Sequence, residues 1–336
     1  MHVYHQHVQA SCGGDQDQSS PSSLAGGTMT NNPGLFVAPT LPWLRDVGSL
    51  PAPLPTVSEI ENTTTQLPSI FDPSIRRTVL IQERFVVKYG PLVFENEGHA
   101  LLLVEQLPDV PAPRLYAMYR DADRLFLIME YIPGQQLSEI WSALSESEKL
   151  PIIRQLRLAS ESLRAVPSPG SFSSTSGGPI PHRYFFSPEH DYRITGPFQS
   201  EHEFIQGLIL CSKKNWEEWG RHGWMTDFFT RHLDTAVGRH GKSVFTHSDF
   251  QRKNILVREE PLAASGDGGT APARSFRVVA LLDWESAGWY PEYWEYSLCF
   301  TYFCWDDDWP ENVESILDPY VREAALMRMI GQDLDL

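Results

Sequence analysis

Residues 245–257, FTHSDFQRKNILV, constrain the fold of this chain more than any other stretch. They set His247, Asp249 and Asn254 in the spacing H-x-D-x-x-x-x-N and run directly into Ile255, Leu256 and Val257, a strand signal. A second apolar run, residues 278–282 (VVALL), ends on Asp283 in the sequence LLDWE. An Asp followed five residues later by an Asn puts the two side chains at the ends of one short loop. The strand after Asn254 anchors that loop, and Asp283 arrives on its hairpin partner. Phosphoryl transfer asks for such a set. One carboxylate orients the attacking hydroxyl and takes its proton, while an amide oxygen and a second carboxylate hold Mg²⁺ on the nucleotide phosphates. A mononuclear metal site is a competing reading, since His and Asp are common ligands. It would want further His or carboxylate ligands near by, which the sequence does not offer.

Composition removes several classes. The 336 residues are 41% hydrophobic and 12% aromatic, enough for one large or two smaller cores. Net charge is −16, from 27 basic and 43 acidic residues, which argues against nucleic-acid or anionic-membrane partners because both need a positive footprint. The same balance is compatible with a cationic small molecule. No run approaches the roughly 18 apolar residues of a membrane helix. The start, MHVYHQHVQASCGG, lacks the basic region and apolar core of a secretory signal. Cys12, Cys211, Cys299 and Cys304 show no metal-ligand spacing and are too few for a disulfide framework, so they read as reduced thiols in a cytoplasmic protein.

Residues 1–55 are rich in Gly, Ser, Pro, Gln and Asn, and are expected to be a disordered tail. From residue 75 the pattern changes. Residues 78–81 and 84–89 read as two strands, with Lys88 near the end of the second, and residues 97–107 (EGHALLLVEQL) read as a helix. Residues 114–119 and 125–132 form a hairpin that ends at Pro133-Gly134, beyond which helical patterns replace strands. Ser145 with Glu148 resembles a capping box, but Pro151 suits a helix that begins there instead. Residues 167–200 are loop-like, either a lid or a surface loop. Residues 259–274 read as an enlarged hairpin loop; their GDGG precedes a strand and lacks Lys-Ser/Thr, so it is not a phosphate loop. Asp318 and Pro319 are expected to cap the last helix, residues 321–330.

The small residue Ser248 inside H-x-D-x4-N, the LDWE run, Gly196-Pro197-Phe198 and residues 289–296 (WYPEYWEY) together resemble the aminoglycoside phosphotransferase/choline kinase-like family, particularly its fungal branch. The resemblance covers roughly residues 75–330. Protein kinases usually carry Arg where Ser248 stands, and neither D-F-G nor A-P-E occurs in a matching place. The resemblance implies an α+β, two-lobed protein-kinase-like fold, with a small β-rich N-lobe over 70–133 and a mainly helical C-lobe over 134–331. ATP would lie between the lobes, its adenine on the backbone near Glu130 and Ile132. Asp249 would be the catalytic base, with His247 bracing the loop, and Asn254 and Asp283 would be Mg²⁺ ligands. Lys88 would bridge the α/β-phosphates, held by Glu97, with Glu95 as the nearby alternative. Arg252 and Lys253 would lie at the γ-phosphate or on the surface. Glu292, Asp306, Asp307 and Asp308 would be candidates to meet a cationic acceptor.

The implied activity is an ATP- and Mg²⁺-dependent transfer of the γ-phosphate to a hydroxyl of a small molecule. Two departures stand out: LIQERF (residues 80–85) replaces a Gly-rich loop, and few strands precede Lys88, so the N-lobe is either truncated or completed by the tail. The alternative is a catalytically weak pseudokinase acting as a binding or regulatory module. Against it stands the retention of Asp249, Asn254 and Asp283 together.

Overall fold

The computed structural model describes residues 36–69, 71–237, 241–260, 274–301 and 305–335. Strands β1 (Trp43–Leu44), β2 (Arg77–Ile81), β3 (Phe85–Gly90), β4 (Leu115–Asp121) and β5 (Arg124–Glu130) form an antiparallel sheet in the order β1-β4-β5-β3-β2. Alternation along the strands sorts its two faces. Phe85, Val87, Phe126 and Ile128 point to one side, where Ile60 of helix α1 (Val57–Asn62) covers them. Leu125, Leu127 and Met129 point to the other, onto Leu101, Leu103 and Val104 of helix α2 (Glu95–Val104). Lys88, between Val87 and Tyr89, is thereby turned toward α2.

The expectation of a disordered tail over 1–55 is corrected for residues 36–55. Trp43 and Leu44 pair with Met118 and Ala117 of β4, and Arg45 donates to the Leu115 carbonyl (2.7 Å) and pairs with Glu105 (2.5 Å). This stretch is too short and Pro-rich to read as structure alone; the open edge of β4 supplies its order. The tail thus completes the sheet. Residues 1–35 lie outside the described residues.

Where a Gly-rich loop might stand between β2 and β3, the chain makes a tight turn closed by the Arg84 N–H to the Ile81 carbonyl (3.1 Å). Its central residues, Gln82 and Glu83, have φ of 56° and 52°. Non-glycine residues resist that conformation by about 1–2 kcal/mol each. Gln82→Asn combined with Glu83→Gly, the pair this turn favours, is expected to raise stability by about 1 kcal/mol. A thermal melt checks this, and a lowered melting temperature would contradict it.

Beyond Gly134 the chain is mainly helical: β6 (Gln135–Gln136), α3 (Leu137–Ile140), α4 (Glu146–Arg164), β7 (Ser173–Ser174), α5 (Tyr192–Thr195), α6 (Glu201–Glu218), α7 (Trp224–Val237), β8 (Ser243–Thr246), β9 (Ile255–Glu260), β10 (Ser275–Leu281), β11 (Gly288–Pro291), α8 (Trp294–Thr301), α9 (Trp309–Ile316) and α10 (Val321–Leu334). The fold is α+β, a small antiparallel sheet unit joined to a helical portion as in protein kinases. Two short sheets, β10-β9-β6 and β7-β11-β8, matter most for function. The segment 247–254 runs from β8 to β9, and the segment 282–287 runs from β10 to β11. Because β9 pairs with β10 and β8 with β11, both segments are held at both ends and lie side by side.

Two helix starts differ from expectation. The capping box on Ser145 and Glu148 is present and α4 begins at Glu146, with Pro151 inside it. Helix α10 begins at Val321 without a side-chain cap, because Asp318 pairs with Arg157 instead (2.9 Å). The loop expected over 259–274 lies largely outside the described residues, as do Cys12 and Cys304; Cys211 and Cys299 are free thiols. Among the described residues no helix is long and apolar enough to cross a membrane.

Candidate active site

The loop 247–254 is locked through its own polar groups. Asn254 Nδ2 donates to Asp249 Oδ2 (2.7 Å) and to the Asp249 carbonyl (3.0 Å), closing the loop across its mouth. Gln251 Nε2 bonds Asp249 Oδ1. His247 Nδ1 accepts the Asp249 N–H (3.2 Å), and Nε2 donates to the Leu282 carbonyl (2.9 Å). Both contacts fit one neutral tautomer, and burial pushes the His247 pKa below the usual histidine range. Both ring nitrogens of His247 are thus engaged on backbone, tying the start of the loop to Leu282. The Leu282 N–H in turn meets the Asn254 carbonyl (2.8 Å), so the residue before Asp283 is stitched to both ends of the loop. Asp283 leaves that junction in the left-handed conformation (φ 65°, ψ 62°), which turns its carboxylate away from the strand.

It turns toward Lys88. Lys88 is 6% exposed, and its ammonium contacts Glu97 at 2.6 and 2.8 Å and Asp283 Oδ1 at 2.9 Å. Glu95 pairs with Arg120 (2.9 Å), so Glu97 is the lysine's helix partner. Arg76, just before β3's neighbour in register, adds bonds to Glu285 (2.5 Å) and Asp283 (3.5 Å). Burial alone would lower the Lys88 pKa, but Asp283, Glu97 and Glu285 hold it above the ordinary lysine value. Asp283 is partly buried, which alone would raise its pKa, but Lys88 keeps its carboxyl well below the usual range. Three carboxylates thus face two cations. Burial and the Asp283 charge push Glu285 up to about 7. Ligand oxygens of Glu97, Asp283 and Glu285 all lie within 4.8 Å of one another. A surplus of hard oxygen donors around a buried ammonium suits a divalent cation such as Mg²⁺. With its amide nitrogen committed to Asp249, Asn254 has Oδ1 as its remaining ligand atom.

A second buried carboxylate supports the loop from below. Glu295 on α8 accepts the His247 N–H (2.8 Å) and the Ser248 N–H (3.1 Å), while Trp294 Nε1 donates to Ser248 Oγ (2.8 Å). Burial raises Glu295 to about 7 from 4.5, against the opposing pull of those N–H groups. A carboxyl with a raised native pKa keeps its proton longer in the folded chain, so its contribution is full below about pH 4 and falls as pH rises toward 7. The stability of the wild type relative to Glu295→Gln is therefore expected to fall by on the order of 3 kcal/mol between pH 4.5 and 7.5. Urea melts of both proteins measure this, and parallel pH profiles would contradict it.

Other residues singled out in the sequence fall elsewhere. The Glu130 N–H bonds the Arg114 carbonyl and the Tyr131 N–H bonds the Arg84 carbonyl, both at 2.9 Å; none of the described hydrogen bonds uses the Ile132 N–H. Arg252 is neither at the surface nor free to meet a phosphate. Its guanidinium sits 4.9 to 5.9 Å from the ring centres of Trp141, Trp305 and Trp309, and pairs with Asp307 (2.6 Å). Lys253 is half exposed, 3.9 Å from Asp249 Oδ2. Asp308 takes Lys149 (2.6 Å) and Trp141 Nε1 (3.0 Å). Asp307 and Asp308 therefore balance internal cations rather than waiting for a cationic acceptor. Glu292 lies 3.6 Å from Lys242.

Comparison with known proteins gives the family and the fold. The family described as the phosphotransferase enzyme family matches residues 72–326. Among solved structures, the ternary complex of APH(2'')-IIa with streptomycin and ATP superposes with a TM-score of 0.51 at 16% identity, covering 81% of this chain and 83% of that one. The aminoglycoside phosphotransferase APH(3'')-Id from Streptomyces rimosus, solved with ADP and streptomycin, gives a TM-score of 0.46 at 13% identity, over 83% of this chain and 96% of that one. No curated protein sequence matches the chain.

Proposed function

The chain belongs to the phosphotransferase enzyme family, and we propose that it moves the γ-phosphate of ATP onto a hydroxyl of a small molecule. The observation that carries this reading is the meeting of two clusters at Leu282: the Asp249–Asn254 loop on one side and the Lys88–Glu97–Asp283 cluster on the other. Asp249 accepts the proton of the acceptor hydroxyl as its oxygen attacks the γ-phosphorus; the bond to the bridging oxygen breaks, and ADP departs. Lys88, oriented by Glu97, neutralises phosphate charge. His247 and Glu295 hold the base in place. Adenine would lie on the strand end at Glu130, with the Ile132 N–H as the donor toward it. Asp283 and Asn254 Oδ1 would hold Mg²⁺, beside Glu285; when bound it neutralises charge on the phosphates.

An ADP-release assay against a panel of hydroxylated amines and neutral polyols tests the reading. Acceptor-dependent ADP formation, matched by a phosphorylated product in mass spectrometry, is the expected result. ATP binding without transfer to any acceptor would favour the binding or regulatory module.

A further inference from the structure

Asn96 precedes Glu97 on α2 and is 8% exposed. Both amide hydrogens and the amide oxygen are engaged. Nδ2 donates to the Glu285 carbonyl (2.9 Å) and the Ala287 carbonyl (2.8 Å), and Oδ1 accepts the Thr175 N–H (3.0 Å). Thr175 Oγ1 donates to the same Ala287 carbonyl (3.3 Å). The segment around Thr175 is itself fixed, because β7 pairs with β11 at Ser173–Trp289 and Ser174–Gly288. The approach is close enough that a Cβ on Gly288 would lie 2.5 Å from the Ser173 carbonyl oxygen. One side chain thus ties together the helix that carries Glu97, the turn that carries Asp283 and Glu285, and the strand segment behind them.

We propose that Asn96 is a positioning residue that sets the spacing between the Lys88–Glu97 pair and the carboxylates of the 283–287 turn, and so the affinity of the site for metal-loaded nucleotide. The inference rests on the phosphotransferase reading. The chemistry is specific to an amide at this reach. It needs two donors for two carbonyls and one acceptor for an N–H. Asp has the shape but no donor and would face both carbonyls with negative charge. Ala leaves the Glu285 carbonyl and the Thr175 N–H unpaired and the Ala287 carbonyl with the Thr175 hydroxyl alone.

Two measurements test it on the full chain. The first needs no ligand: hydrogen–deuterium exchange of residues 283–288 is expected to speed up in Asn96→Ala while the β3–β5 sheet keeps its protection. The second is calorimetric ATP binding with and without Mg²⁺. The gain in affinity that Mg²⁺ confers is expected to fall about 10- to 100-fold in Asn96→Ala, as for other residues that orient metal ligands, and further in Asn96→Asp, with Mg²⁺-free affinity unchanged. Unaltered exchange at 283–288 together with an unaltered Mg²⁺ gain would overturn the proposal. Should Asn96→Ala fail to fold, Thr175→Val, which removes only the hydroxyl bond to Ala287, is expected to show the same two changes at smaller size; no change in it would overturn the proposal equally. A wild type that gains nothing from Mg²⁺ would instead remove the phosphotransferase reading, whatever the variants do.

Discussion

Asp249→Asn is expected to bind ATP with Mg²⁺ as the wild type does and to lose phosphoryl transfer by roughly 10²- to 10⁴-fold. The amide keeps the shape of the carboxylate but cannot take the acceptor's proton. The loop should keep its path, because Asn254 also holds the backbone carbonyl of residue 249 and His247 holds its N–H. Glu295 fixes the start of the loop from below. Binding and rate therefore separate in this variant. Loss of ATP binding with no separate loss of rate would show that Asp249 shapes the nucleotide site and is not the base. Transfer at the wild-type rate would show that the proton leaves by another route.

The second large effect belongs to Asp283. Asp283→Ala is expected to abolish the gain in ATP affinity conferred by Mg²⁺ and to reduce turnover beyond detection, while the chain stays folded. Folding should survive because Asp283 is one of three carboxylates facing Lys88 and Arg76. Its removal also relieves Glu285, whose pKa the Asp283 charge helps to raise; that group should fall back toward the ordinary carboxylate range. One cost remains. The left-handed backbone at this position suits Asp and Asn better than Ala, by about 1 kcal/mol. Asp283→Asn keeps that preference while halving the ligand capacity, so it separates backbone from charge. If both variants consume ATP as the wild type does, the assignment of Asp283 to the metal is wrong.

Much of the site could be read from the chain because its parts are local. H-x-D-x4-N closes one loop, and an apolar run that pairs with the strand after it must bring its end beside that loop; Asp283 follows from strand pairing alone. Lys88 and Glu97 could be paired only through the family resemblance; that α2 covers the face of β3 from which the lysine projects is seen in the structure alone. What was not legible depends on contacts between distant segments. Glu285 lies inside the LDWE run and Glu295 inside WYPEYWEY, yet nothing near either in sequence says that it points into the molecule. Arg76 and Asn96 give no signal either, since the groups they bind in the 283–287 turn lie about 190 to 210 residues away.

The same holds for the charges that looked like surface. Arg252 reads as a phosphate or surface group and Asp307 as a candidate for a cationic acceptor, but three tryptophans distant from the arginine in sequence close around it. Residues 36–55 have the composition of a loop because their structure is borrowed from an edge strand they did not supply. Composition and period report what a segment does by itself; they are silent on what another segment makes of it.

The most direct test of the account is a calorimetric titration of the full chain with ATP, run with and without Mg²⁺. The account predicts binding that strengthens when Mg²⁺ is present, because Glu97, Asp283 and Glu285 crowd more negative charge around Lys88 than Lys88 and Arg76 balance. No binding at millimolar ATP, with or without the metal, would contradict it and leave a kinase-shaped chain that works by holding a partner.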